Sequence, residues 1–305
     1  MTVEQTFGPA EVAAAQQLIA LALHEDLADR GDLTTQLFVP ADLQGSIRVV
    51  VRQSGVLAGS PVGRCVIQAV DPRVHWHSWL EDGACVQPGD VVAEVRGPMH
   101  SLLKAERTVL NFLTHLSGIA TLTHRFVQAV QGTAAKILDT RKTLPGLRRL
   151  EKYAVRCGGG HNHRLGLYDG VLIKDNHWAA WATQQPSIEA HAANDSWTAA
   201  ILQVRQSLPP GIPLEVEVES LQQLEYVLAA HPDIVLLDNM QLAELRAAVS
   251  LRNRVAPTVQ LEASGGISLA NVRAVAETGV ERISIGALTH SAPALDLAFD
   301  WSDRD

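Results

Sequence analysis

From about residue 136 onward the chain alternates between two local patterns, and this alternation limits its fold more than any other feature. Six short β-rich runs recur: "KILDT", "VLIKDN", "LEVEVES", "DIVLLDN", "VQLEAS" and "RISIGAL". Between most of them lie helical stretches such as "SLQQLEYVLAAH", "MQLAELRAAVSLR" and "SLANVRAVAETG". Strand–helix alternation predicts a parallel sheet with right-handed crossovers. Eight strands do not fit the space, so the reading is a (β/α) barrel with fewer than eight strands. Active sites on such barrels gather at the C-terminal ends of the strands. Here those ends are Asp139-Thr140, Lys174-Asp175, Glu217 to Glu219, Asp238-Asn239, Glu262 to Ser264, and Gly286.

In "LEVEVES" the two-residue period of a strand separates the side chains. Val216 and Val218 face one way, Glu215, Glu217 and Glu219 the other. The valines can pack on helices while the glutamates face inward. Three acids on one inner face are costly unless they are paired or metal-linked, so the interior is expected to be polar and functional.

Ahead of residue 136 the patterns are less regular. Residues 10–27 read as an amphipathic helix carrying Val12, Leu18, Leu21 and Leu23. "SIRVVVRQSGVLA" reads as strand, turn and strand, and "VHWHSWL" and "DGACVQPGDVVAEVRGP" add short strands. The last of these has the outline of a lipoyl-type hairpin but lacks a lysine at a tight turn, so it is taken as plain β-structure. "SLLKAERTVLNFLTHLSGIATLTHRFVQAVQ" reads as helix, broken near Gly118.

Charge narrows the function. The formal net charge is −8, which argues against a general nucleic-acid binder. Yet seven Lys or Arg against one acid, Glu151, lie between Arg141 and Arg164. A solvated helix face explains part of that segment; an anionic small molecule explains the rest. No apolar run approaches the roughly 20 residues that span a bilayer, and the first residues carry acids where a secretory leader needs bases. Three widely spaced cysteines fit reduced thiols in a cytoplasm.

Each motif has a plain reading beside a chemical one. "EASGGI" and "SIGAL" are strand ends running into small residues. Either is an ordinary turn alone; together, at the last two strands, Ser264, Gly265 and Gly286 suggest a phosphate cup. Glu217 and Asp238 suit Mg²⁺ or sugar hydroxyls, or else are inward carboxylates neutralised by Lys174 or Arg141. His161 and His163 in "GGGHNHR" have the spacing of a metal pair, but the adjoining Arg164 would repel a divalent ion. A cationic edge of His163 and Arg164, matched to a carboxylate, is the better reading. Cys157 sits on the apolar face of Leu147, Leu150 and Ala154 and reads as core. All six tryptophans are assigned to packing.

Taken together, "ERTVLNFLTHLSGIAT", "DTRKTLPGLRRLEKYAVRCGGGHNHRLGLYDGVLIKDNH", "LEVEVES", "IVLLDN" and "EASGGISLANVRAVAETGVERISIGALTHS" resemble the quinolinate phosphoribosyltransferase family, in consistent order from about residue 10 to 300. The resemblance implies an α/β protein with an N-terminal α/β open sandwich at 1–115, joined by a C-terminal tail at 290–305, and a barrel at 116–289. It implies transfer of phosphoribosyl from 5-phosphoribosyl 1-pyrophosphate to quinolinate with loss of CO₂. By resemblance, Arg107, Arg141, His163 and Arg164 meet quinolinate, with Lys142 and Lys174 beside them, and Arg52 falls on a substrate-binding position of the family. Glu217 and Asp238 serve the ribose and Mg²⁺, and Ser264, Gly265 and Gly286 hold phosphate. Lys142, Lys174, Glu217 and Asp238 are the expected catalytic set. Arg107 is expected to reach the neighbouring subunit's site, which makes a homodimer the smallest functional unit. Two other readings share parts of the pattern. One is a related group found with molybdenum-transport genes; the other is a metal-dependent barrel hydrolase built on His161 and His163.

Overall fold

The computed structural model describes residues 6–183 and 193–301. Its described residues group into two compact units: 6–125, 142–162 and 286–301 in the first, and 126–141, 163–183 and 193–285 in the second.

The first unit holds β1 (Gln44–Val51), β2 (Gly55–Val56), β3 (His75–Ser78), β4 (Cys85–Val86) and β5 (Val91–Pro98). A strand from the far end of the chain, Leu297–Trp301, joins them as the twelfth in chain order, β12. The antiparallel sheet runs β12-β1-β5-β3, while β2 and β4 pair separately. Ile47, Val49 and Val51 line the buried side of β1 at the strand period. The strand, turn and strand expected at 46–58 are present, but they do not pair as a hairpin, because the two arms enter different sheets. The reason lies outside the segment. Ser117 and Thr121 on the long helix Met99–Ala129 accept from the N–H groups of Ala58 and Val56, at 3.0 and 2.9 Å, and draw the second arm away.

Two further expectations are corrected here. The helix Pro9–Leu27 buries Glu11, Ala15 and Ile19, an i, i+4, i+8 stripe, while Leu21 is 68% exposed. Glu11 is tolerated on that stripe because Arg156 Nη2 donates to it at 3.1 Å. Met99–Ala129 also runs unbroken through Gly118. A Cβ at Gly118 would lie 2.2 Å from Pro293 O and 3.0 Å from Ala294 Cα. The glycine is thus a place of close chain approach on the helix surface, not a break. Cys157 is buried as expected, and burial pushes its thiol well above the ordinary range. Trp178 packs flat on Trp197 with ring centroids 4.2 Å apart, but Trp79 is 59% exposed, so packing does not account for every tryptophan.

In the second unit the six strands read from sequence are all present: β6 (Lys136–Leu138), β7 (Val171–Ile173), β8 (Leu214–Val218), β9 (Ile234–Asp238), β10 (Gln260–Ser264) and β11 (Arg282–Ser284). They form one parallel sheet in the order β6-β11-β10-β9-β8-β7, six strands where a full (β/α) barrel has eight. The end strands β6 and β7 do not pair with each other. Register across the sheet sets Glu217 opposite Leu236, Leu236 opposite Glu262, and Glu262 opposite Arg282. One pleat further on, Asp238 stands opposite Ser264.

Gly118→Ala should lower stability through overpacking against Pro293, by about 1–3 kcal/mol. The opposite sign is expected for an ordinary exposed helix glycine, where alanine stabilises. Thermal unfolding of the two proteins distinguishes these outcomes.

Candidate active site

The parity read from "LEVEVES" holds. Val216 and Val218 are fully buried on one side, and the two glutamates within the strand, Glu215 and Glu217, each meet a cation on the other. Glu215 Oε2 lies 3.0 Å from His163 Nε2, and Glu217 Oε2 accepts from Lys174 Nζ. Glu219, beyond the strand, is exposed.

His163 is the hub of the deepest part. Its Nε2 also approaches Glu262 Oε1 at 3.4 Å, and Arg282 Nε donates to Glu262 Oε2 at 2.7 Å. Its backbone N–H donates to Asp139 Oδ1 at 2.9 Å. Asp139 and Glu262 are wholly buried and Glu215 nearly so. Burial opposes a charge on the imidazole, but hydrogen bonds to Glu215 and Glu262 outweigh it and raise the His163 pKa to about 9. The N–H of Arg164 points at Nδ1 from 2.7 Å and favours a lone pair there. One neutral hydrogen bond is worth about 1 kcal/mol, whereas a buried carboxylate without a counter-charge costs several, so the imidazolium wins. His163⁺ and Arg282⁺ then balance Glu215⁻ and Glu262⁻. Within the pair, burial and then Glu262 push the Glu215 carboxyl up. At Glu262, burial acts upward but is outweighed by His163 and Arg282, which hold the carboxyl down.

These three side chains also have the geometry of a metal-binding group. The imidazolium and the guanidinium against Glu262 together already neutralise the two carboxylates, and His161, the other half of the expected metal pair, is not in the group.

Nearer the strand ends the site turns outward. Lys174 precedes the helix Asp175–Ala182 and reaches Glu217 on β8. Asp238 ends β9, Ser264 ends β10, and Gly265 (φ 90°) and Gly266 (φ 63°) follow in left-handed conformations that favour glycine. Burial, and then the charge of Arg141, depress the Arg164 pKa. Arginine does not deprotonate, so two like charges are held close enough to repel. Such a pair is stabilised by an anion between them. Arg164 Nη1 donates to Gly170 O at 2.8 Å, which fixes the head group.

The structure thus brings Arg141, His163, Arg164, Lys174, Glu217, Asp238, Ser264 and Gly265 into one unit. Arg52, Arg107, Lys142 and Gly286 belong to the other. Arg52 is half-exposed and paired with Asp300. Arg107 is exposed and lines a hollow of about 210 Å³ with Glu25, Asp26, Asn111 and His115. Lys142 passes Gly286, where a Cβ would sit 3.0 Å from its Cδ. Sequence reasoning placed Asp139 and Glu262 at strand ends but gave them no role, and it missed Arg282 as a member of the site. The signal for Glu262 was parity, two positions before Ser264 on the same face; Arg282 becomes visible only once register sets it opposite Glu262.

A (β/α) sheet with carboxylates and glycine turns at its strand ends, beside clustered arginines, defines an enzyme acting on anionic small molecules. Models of the quinolinate phosphoribosyl transferase N-terminal and C-terminal domains match residues 32–117 and 119–300. A nicotinate-nucleotide pyrophosphorylase [carboxylating] of Mycobacterium leprae is 48% identical over 294 residues, 95% of this chain and 98% of its own. A probable nicotinate-nucleotide pyrophosphorylase [carboxylating] of Bacillus subtilis is 40% identical over 286 residues, 93% of each chain. Among solved structures, NadC from Streptococcus pyogenes aligns with a TM-score of 0.86 at 37% identity, covering 98% of this chain and 99% of its own. The nicotinate-nucleotide pyrophosphorylase of Francisella tularensis gives 0.85 at 36%, covering 95% and 97%. The chain belongs to the quinolinate phosphoribosyltransferase family, the carboxylating nicotinate-nucleotide diphosphorylases of NAD biosynthesis. No helix among the described residues is long and apolar enough to cross a membrane.

The charge on His163 should be visible in stability. Its folded pKa of about 9 lies above the unfolded value of about 6.5. Its contribution is therefore complete below pH ~6.5 and is lost as pH rises through about 9. The stability gap between wild type and His163→Asn should narrow from pH 7 to pH 10, measured by urea unfolding at each pH. A constant gap would mean that the imidazole is held neutral.

Proposed function

We propose that the family reaction is run here by two facing sets of charges: a cationic set for quinolinate, and an acidic and glycine-lined set for 5-phosphoribosyl 1-pyrophosphate. The observation that carries this reading is the arginine pair. Arg141 and Arg164 lie in one unit, each within two residues of the hydrogen bond from His163 N–H to Oδ1 of the buried Asp139. Quinolinate, a pyridine dicarboxylate, has a carboxylate to offer each guanidinium. His163 anchors the inner edge of this set, and Lys174 is assigned beside it; Lys142 and Arg52 keep the substrate-binding roles that the family resemblance implies. The barrel is assigned to 116–289 and the sandwich to 1–115 with the returning tail at 290–305, as supported by the pairing of β12 with β1.

Glu217 and Asp238 are assigned to the ribose and to Mg²⁺. The donor set suits that ion. Both are hard carboxylates on neighbouring strands, and each has one oxygen engaged, by Lys174 and by Asn239. Each therefore offers a single oxygen, the number a largely hydrated Mg²⁺ takes from protein. When bound, Mg²⁺ supplies positive charge to the departing pyrophosphate. The Ser264–Gly265 turn and Gly286 receive phosphate oxygens through backbone N–H groups. As the anomeric bond breaks, the ribose becomes positive, and Glu217 and Asp238 stabilise that charge. The pyridine nitrogen attacks the anomeric carbon. The quaternised ring then loses its 2-carboxylate as CO₂, because the adjacent N⁺ stabilises the carbanion left at C2, which takes up a proton from solvent to give nicotinate mononucleotide. No covalent nucleophile is required.

Incubation with quinolinate, 5-phosphoribosyl 1-pyrophosphate and Mg²⁺ should release nicotinate mononucleotide, pyrophosphate and CO₂ in equal amounts. CO₂ release also separates this reading from the molybdenum-transport-associated relatives. Arg141→Ala and Arg164→Ala should each weaken quinolinate binding by about 2–5 kcal/mol, with a far smaller effect on the other substrate. Calorimetric titration with each substrate checks this, and unchanged quinolinate affinity in both variants sinks the clamp.

We further propose a homodimer in which Arg107 serves the partner's site. Arg107→Ala and Arg141→Ala should then complement each other. With random subunit exchange in a C₂ dimer, half the dimers are mixed and half their sites are whole, so activity returns to about a quarter of wild type. No recovery after proven exchange would confine Arg107 to its own chain.

A further inference from the structure

Asn239 follows the last residue of β9 and holds φ at 54°, in the left-handed region that residues other than glycine rarely occupy. Asparagine tolerates that region better than most residues, but glycine would fit the backbone at less cost. The side chain must therefore account for the choice. Its Nδ2 donates to Asp238 Oδ2 at 2.7 Å, and its backbone N–H donates to Ser264 O at 2.9 Å. On the other side its amide lies against the turn after β10. A Cβ on Gly265 would fall 2.1 Å from Asn239 Oδ1 and 2.6 Å from its Cγ. Gly265 is thus excluded from carrying a side chain twice over, by its φ of 90° and by this amide. One asparagine touches both the carboxylate at the end of β9 and the glycine turn at the end of β10.

We propose that Asn239 is a positioning residue that fixes the Asp238 carboxylate and braces the Ser264–Gly265 turn, so that the acid and the phosphate-binding backbone are held in register with each other. This rests on the roles given above to Asp238 and to that turn. The amide holds Oδ2, which leaves Oδ1 of Asp238 outside the bond. It also determines which way the carboxylate faces. Replacing a donor by an acceptor here would set two carboxylates against each other and release the turn.

The test uses the full-length enzyme and two substitutions. Asn239→Gly keeps the left-handed backbone and removes the amide; Asn239→Asp keeps a residue that tolerates this backbone but turns the donor into an acceptor. Both should melt close to wild type. A hydrogen bond to a charged group carries the effect, so KM for 5-phosphoribosyl 1-pyrophosphate should rise roughly tenfold or more in Asn239→Gly, and further in Asn239→Asp. KM for quinolinate should stay within about twofold. Calorimetric titration with 5-phosphoribosyl 1-pyrophosphate, without Mg²⁺ and without turnover, should show the same loss. Wild-type affinity in Asn239→Gly would overturn the inference, leaving only a backbone requirement, and so would equal losses for both substrates. Asp238→Asn is run alongside. If it abolishes the same affinity while Asn239→Gly does not, the site assignment stands and only the role of Asn239 fails. If neither variant loses affinity, the site assignment and this inference fall together.

Discussion

A protonated imidazole held between two buried carboxylates is the interaction on which the interior of the second unit depends. Without a charge on His163, the buried carboxylates of Glu215 and Glu262 would face each other with Arg282, on Glu262, as the one cation bonded directly to either among the described residues. Breaking such an arrangement costs several kcal/mol, more than one surface ion pair returns. The cluster also pins the chain at the point where it leaves "GGGHNHR", because the His163 backbone is tied to Asp139. Asp139 precedes Thr140 and Arg141, and Arg164 follows His163. The two arginines are therefore set by the same buried network, each one or two residues after a member of it.

The sheet arranges its charge in layers. Glu215 lies deepest with His163; Glu217 and Glu262 come next, each against its own cation; Asp238 and Ser264 stand at the rim. Charge is paired within the protein at depth and becomes available to ligands toward the strand ends. An apolar interior would be more stable, but it could not deliver carboxylates and guanidiniums to one rim at fixed separation.

Much of this was legible in the sequence because it is local. Six strands, their polar ends and the parity of "LEVEVES" follow from periods of two and 3.6 residues. What escaped was non-local. Arg282 begins its β-run and looks solvated until register sets it opposite Glu262. Gly118 looks like a helix break until the chain at Pro293 is known to lie against it. The arms around "RQSG" look like a hairpin because the hydroxyls that separate them, Ser117 and Thr121, come more than 60 residues later. Leu21 looks like core because an apolar residue on an amphipathic helix usually is; Glu11 takes its place only because Arg156 arrives to neutralise it.

The pairing of β12 with β1 has a consequence for how the chain is made. Arg52, just past β1, is bonded to Asp300, 248 positions later. While the ribosome is still adding the second unit, β1 has β5 on one side and an open row of N–H and C=O groups on the other. An unpaired edge of this kind recruits other strands, and pairings of such sequence separation are slow to form. The nascent first unit is therefore most exposed to misassociation during the synthesis of the barrel, and that exposure ends only when its final strand is released. Arg48 and Arg52 lie along that edge, and positive charge there repels a second copy of the same edge for as long as the partner strand is missing.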